Sequence, residues 1–76
     1  MRTFDDNSGN QWQAALMEAS FGNVLLVFTR IGAEGVRRGA LDAANYRQAE
    51  DWLAGADEER LRECLAESKP FLSDPP

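Results

Sequence analysis

Residues 24–31 read Val-Leu-Leu-Val-Phe-Thr-Arg-Ile, an apolar, β-branched and aromatic run preceded by Gly22-Asn23 and closed by Gly32. The unbroken apolar stretch 24–28 puts hydrophobic side chains on both faces of a pleated ribbon. That pattern predicts a central strand with a neighbour on each side and cover above and below. A buried helix is the competing reading. The run is short for a helix, however, and glycine-containing turns at both ends favour the strand.

The flanks divide into further strands. Arg-Thr-Phe-Asp at 2–5 is a short strand, and Asp-Asp-Asn-Ser-Gly-Asn at 5–10 collects residues that bond their own backbone or tolerate positive φ, the signature of a hairpin turn. In 11–20 the apolar residues fall on both sides of a ribbon, with Trp12, Ala14 and Leu16 on one and Ala15, Met17 and Ala19 on the other. A helix is possible there, but Phe21-Gly-Asn-Val24 matches a tight hairpin with a two-residue loop, which favours a strand. Gly-Ala-Glu-Gly at 32–35 is a turn. Residues 36–41 make a fourth strand, weakened by Gly39 and expected at an edge, where Arg37 and Arg38 discourage another chain from adding.

From residue 42 the period changes. Tyr46, Ala49, Trp52 and Leu53 recur at helical spacing, Asn45 or Asp42 can cap the start, and Gly55 is placed to stop the helix in the left-handed conformation. Asp57 then caps a second helix with Glu58 and Glu59 in its first turn, an apolar stripe of Leu61, Cys64 and Leu65, and an i,i+4 pair between Glu58 and Arg62. Pro70 ends this helix, Phe71 and Leu72 are expected to fold back on the core, and 73–76 form a disordered tail. The expected fold is therefore α+β: a four-stranded antiparallel meander followed by a C-terminal helical hairpin, β-β-β-β-α-α, in one domain over 1–72.

A two-residue loop at Gly22-Asn23 pairs Phe21 with Val24, Ala19 with Leu26, Met17 with Phe28 and Ala15 with Arg30. Carried across the sheet, this register puts those residues with Phe4, Gly39 and Leu41 on one face. Trp12, Ala14, Leu16, Leu25, Val27, Ile31, Val36 and Ala40 fall on the other. Both faces are largely apolar and one helical hairpin covers only one, so the other is expected to meet the tail, a second copy or another protein. A bulge or strong sheet twist would instead let the helices wrap further.

The 76 residues suit one small domain, which buries only ~60% of the surface its unfolded chain exposes. A net charge of −5 argues against nucleic-acid backbones and anionic membranes, which need a basic surface. The single cysteine permits no internal disulfide, the chain opens on polar residues where a signal peptide would be apolar, and no stretch has the length of a membrane span; a reducing cytoplasm is expected. The absence of histidine removes the commonest general base and metal ligand.

Against that background each possible site has a plain structural explanation beside it. Asp5, Asp6 and Asn7 lack the spacing of a calcium loop and read as turn chemistry. Arg30, Arg37 and Arg38 could gather an anion, since Arg30 and Arg37 face each other in the expected register, although Arg38 falls on the opposite face. Cys64 lies on an apolar stripe with no base to activate it. Trp52 belongs with the helical core, whereas Trp12 could be an interface aromatic. Ser8, Ser20 and Ser68 have no base to pair with, and residues 32–35 lack the ending of a phosphate loop.

The opening Phe4-x-Asp6-x-x-Gly9-x-x-Trp12 resembles the start of small bacterial proteins of uncharacterised function in which a hairpin leads into a short sheet. The resemblance carries no activity, site or cofactor. The function expected from these residues is a small non-enzymatic interaction or regulatory module without cofactor or metal. It would bind a protein partner, or itself as a homodimer, through a face centred on Trp12, Leu16, Val27 and Ile31. The alternative is a small-molecule or anion binder using Arg30, Arg37 and Arg38.

Overall fold

The structure is a computed structural model, and it describes residues 1–19 and 23–70. Strands β1 (Arg2–Asp5), β2 (Gln11–Glu18), β3 (Val24–Arg30) and β4 (Val36–Leu41) are followed by helices α1 (Tyr46–Gly55) and α2 (Glu58–Glu67) and by a two-residue strand β5 (Lys69–Pro70). The strands form one antiparallel sheet in the order β1-β2-β3-β4-β5. The α+β meander followed by a helical hairpin is thus the observed architecture, with β3 at its centre.

Each helix starts where its sequence says it should. Asn45 accepts from the Gln48 N–H at 2.8 Å and Asp57 from the Arg60 N–H at 2.8 Å, each satisfying a donor that has no partner within the helix. The α1 terminus differs from the expectation. Gly55 remains helical and the chain leaves through Ala56 in an extended conformation, so no left-handed glycine closes the helix. Its terminal carbonyls are met from a distance: the Arg2 guanidinium donates to Leu53 O at 2.8 Å, Ala54 O at 3.2 Å and Ala56 O at 2.7 Å. A cation at a helix C-terminus also complements the helix dipole, and α1 has no basic residue of its own in its last turn.

Both helices pack on the same side of the sheet, α1 against β2 and α2 against β1 and β4. The core between them joins Phe4, Trp12, Ala14, Leu26 and Phe28 from the strands with Leu53, Leu61 and Leu65 from the helices. Phe4 and Phe28 meet edge to face with ring centroids 5.9 Å apart. Trp52 and Cys64 border this core as half-buried residues.

Three expectations about the sheet are corrected. Among the described residues the central strand is covered on one face only: Val24, Leu26 and Phe28 are buried, whereas Leu25 and Val27 on the reverse are half-buried. The register of β2 against β3 is displaced, with Trp12 opposite Arg30, Ala14 opposite Phe28, Leu16 opposite Leu26 and Glu18 opposite Val24. The connection runs from Ala19, whose N–H donates to Asn23 O at 2.7 Å, and not through two residues alone. An odd displacement moves every β2 side chain to the other face. Finally, β4 is not an open edge along its whole length, because β5 pairs with it at Arg37 and Arg38. The Arg37 Nε donates to Ser68 Oγ at 2.8 Å and its Nη2 to Ser68 O, which ties the end of α2 to that strand. The expected partner Phe21, the return of Phe71 and Leu72, and the tail at 73–76 lie outside the described residues.

Candidate protein-interaction surface

The face away from the helices is built by alternation. With Trp12, Ala14, Leu26 and Phe28 turned inward, the intervening residues of β2, β3 and β4 are turned outward. Cross-strand pairing arranges them in rows: Gln13, Thr29 and Val36; Ala15, Val27 and Arg38; Met17, Leu25 and Ala40. Leu25 and Val27 stand at the middle strand of the two apolar rows, with Ala15, Met17 and Ala40 beside them. Gln13 and Thr29 bound the array at one end, and Arg38 with Lys69 bounds it on the β5 side. An apolar centre within a polar margin is the composition of a protein-binding surface. Met17 and Val36 are 37% and 40% exposed.

The four residues expected to form the interface do not share this face. Trp12 is buried at 8% exposure and packs in the core, and Leu16 lies beside that core, both on the helix-covered side. Val27 is on the open face as expected. Ile31 is 44% exposed but sits in the turn after β3, beyond the rows. The physical reason is the displaced register, which exchanges Trp12, Ala14 and Leu16 for Ala15 and Met17. Sequence reasoning therefore missed Ala15 and Met17, although it placed Leu25, Val27 and Ala40 together.

The position of Trp12 is fixed by the first hairpin. The paired residues are Phe4 with Trp12 and Asp5 with Gln11, so both aromatics of the Phe4-x-Asp6-x-x-Gly9-x-x-Trp12 motif face the core. Asp6 holds the turn between them. Its Oδ1 accepts from the Ser8 and Asn10 N–H groups at 2.8 and 2.9 Å, and its Oδ2 accepts from the Trp12 indole N–H. Gly9 supplies the positive φ, +84°, that the turn requires. The motif is thereby accounted for as hairpin architecture, and its signal, a carboxylate within reach of an indole, is the one that could have set the register of β2.

The arginines do not converge. Arg37 stands opposite Phe28, not Arg30. Arg30 donates to Asn10 Oδ1 at 2.7 Å, Arg37 is engaged with Ser68, and Arg38 is on the open face. The expected opposition of Arg30 and Arg37 is therefore corrected: the turn ends on Arg30 N–H donating to Gly35 O, which shifts β4 along β3. Burial pushes the Cys64 thiol up, with Glu67 and Glu63 adding to the shift against Arg60, so the reactive thiolate is disfavoured. Among the described residues no group of three or more histidine, cysteine, aspartate or glutamate side chains is placed to hold a metal ion, and no helix is long and apolar enough to cross a membrane.

No protein-family model matches the chain, no curated protein matches it, and no solved structure matches it.

Proposed function

We propose that this chain is a small non-enzymatic interaction or regulatory module that binds a partner protein through the open sheet face centred on Leu25 and Val27. The observation that carries this reading is the apolar array of Ala15, Met17, Leu25, Val27 and Ala40 on the side that neither helix covers. The remaining chemistry of the chain supports it. Asp6 is committed to the hairpin, Arg2 to the end of α1, Arg37 to Ser68, and the only thiol is disfavoured as a nucleophile. The net charge of −5 weighs against nucleic acid as the partner, and a lone cysteine suits a cytoplasmic setting.

A homodimer is the second form of the same reading, favoured by the placement of charge. Seven of the acidic residues, Glu50, Asp51, Asp57, Glu58, Glu59, Glu63 and Glu67, belong to the helical hairpin segment. Face-to-face pairing of two sheets would leave those carboxylates on the outer sides, where they repel least.

The test is a Leu25→Lys, Val27→Lys double variant beside the wild type, in light scattering across concentration and in capture of partners from the source cell. Loss of self-association or of a captured partner, with the circular dichroism spectrum retained, supports the reading. Equal binding by the variant removes this face from consideration.

A further inference from the structure

On the open sheet face charge is concentrated at one edge. Arg38 on β4 and Lys69 on β5 are cross-strand partners, both exposed, at the end of the row that holds Ala15 and Val27. Like charges directly opposite each other are unfavourable unless an anion comes to both. Lys69 belongs to neither of the ion pairs Arg60–Glu63 and Arg62–Glu58, which are on α2. The one carboxylate that alternation places on this face among the described strands is Asp5, on β1, two rows from Arg38 and three strands from β4. Glu34 stands in the turn beyond the Thr29–Val36 row. An acidic chain thus presents two adjacent cations beside the apolar rows of Leu25 and Val27.

The face also limits the shape of what binds it. Main-chain N–H and C=O groups of paired strands lie in the plane of the sheet and are spent on their neighbours, so the face offers a partner side chains only. A partner buried there has to satisfy its own backbone, which a lone extended segment cannot do. The apolar centre is three strands wide, β2 to β4, which at ~4.8 Å between strands is ~10 Å, the diameter of one α-helix and narrower than a packed sheet. This chain has no helix to give. The apolar stripes of α1 and α2, with Leu53, Leu61 and Leu65, are buried in its own core.

We infer, resting on the open sheet face as the binding surface, that its occupant is an amphipathic α-helix of another protein with an acidic flank. The apolar stripe of that helix lies along β3 over Leu25 and Val27, and its carboxylates reach Arg38 and Lys69 on one side. The apolar rows supply the attachment, while the two cations at the rim decide which helix binds and which way round it lies. A second copy of this chain meets neither requirement, since it offers the face no spare helix and a single strand carboxylate.

The test is titration of the isotopically labelled full chain with the synthetic peptide acetyl-Glu-Leu-Ala-Glu-Leu-Leu-Ala-Glu-Leu-Ala-Glu-Leu-Leu-Ala-amide, and with the same peptide carrying lysine for every glutamate. The net charge of −5 draws the lysine peptide to the molecule as a whole, so a preference for glutamate at this face is not a net-charge effect. The glutamate peptide is expected to move the Leu25 and Val27 methyl signals and the Arg38 and Lys69 amides, to become helical when bound, and to bind at least about tenfold more tightly than the lysine peptide. Arg38→Gln with Lys69→Gln, both exposed positions, should narrow that preference to within about twofold. Lys69→Gln alone should weaken glutamate-peptide binding about threefold and keeps the test valid if the double variant does not fold. Equal movement of Leu25 and Val27 by the two peptides overturns the inference and leaves the open face as the binding surface. So do an unchanged preference in the glutamine variants and a dimer through this face that the glutamate peptide does not dissociate. No movement of Leu25 or Val27 up to millimolar glutamate peptide also overturns it, and failure of the face itself is read separately from the Leu25→Lys, Val27→Lys variant.

Discussion

The Asp6 carboxylate and the Trp12 indole meet across the first hairpin, Oδ2 accepting from Nε1 at 2.8 Å, so the residue that shapes the turn also orients the largest side chain of the core. Local turn chemistry and tertiary packing are thereby one arrangement.

This bond makes the hairpin sensitive to acid. Trp12 above all, with the Asn10 and Ser8 backbone donors and despite some desolvation, holds the Asp6 carboxyl down to about 2 from an ordinary 3.8. A group lowered on folding contributes stability that is fully present above its unfolded value and is lost as pH falls through its folded value. The Trp12 Nε1 proton shift should therefore stay constant down to about pH 4 and move as the pH approaches 2. In Asp6→Ala the low-pH movement should vanish. Titration of that proton near pH 4 in the wild type would refute the assignment.

The two tryptophans should respond unequally to truncation. Trp12→Ala opens a cavity among Phe4, Ala14 and Phe28 and should cost ~3 to 5 kcal/mol, close to the whole stability of a chain this small. Trp52 is half-buried at the border of the core, so Trp52→Ala should cost a fraction of that and leave a folded protein. Urea unfolding followed by far-UV circular dichroism distinguishes them. A folded Trp12→Ala beside an unfolded Trp52→Ala would mean that the observed register is wrong.

Arg2 should matter more than a terminal residue usually does. Arg2→Met keeps much of the stem but withdraws donors from Leu53 O, Ala54 O and Ala56 O, at a cost of about 1 to 3 kcal/mol. Hydrogen exchange should accelerate first in the last turn of α1. If denaturation midpoint and exchange there are both unchanged, the staple carries no stability.

The two helix caps should act independently. Asn45→Ala and Asp57→Ala each remove one acceptor for a helix N-terminal N–H, for about 1 kcal/mol apiece, and the double variant should show roughly the sum. A double variant no worse than either single one would indicate that the helices unfold locally as one unit before the sheet does.

Much of the architecture was legible because the signals were local. The turn residues at 5–10 and 32–35, the caps Asn45 and Asp57, and the Glu58–Arg62 pair, observed at 3.3 Å, depend on neighbours within a few residues. The face of β2 was not legible from its pattern, because Trp12, Ala14 and Leu16 compete with Ala15, Met17 and Ala19 on nearly equal terms. A two-residue loop at Gly22-Asn23 selects the wrong face, since the last paired residues are Glu18 and Val24; the Asp6–Trp12 contact selects the right one. The strand β5 gave no periodic signal at two residues in length, one of them proline. Arg2 and Arg62 reach backbone carbonyls more than fifty positions away in sequence, a relation that spacing cannot express.

Because every neighbour in the sheet from β1 to β4 is also a neighbour along the chain, the meander can assemble hairpin by hairpin with short loop closures. The Arg2 staple and the β5 clamp are different in kind. The staple joins the start of the chain to the end of α1, and the clamp joins the end of α2 back to β4. Such closures come at the end of an assembly route, since their entropy is repaid only when both sides already stand. Weakening them should leave the folding rate nearly untouched and act on unfolding alone, so these two fasteners set how long the native state lasts and not how quickly it forms.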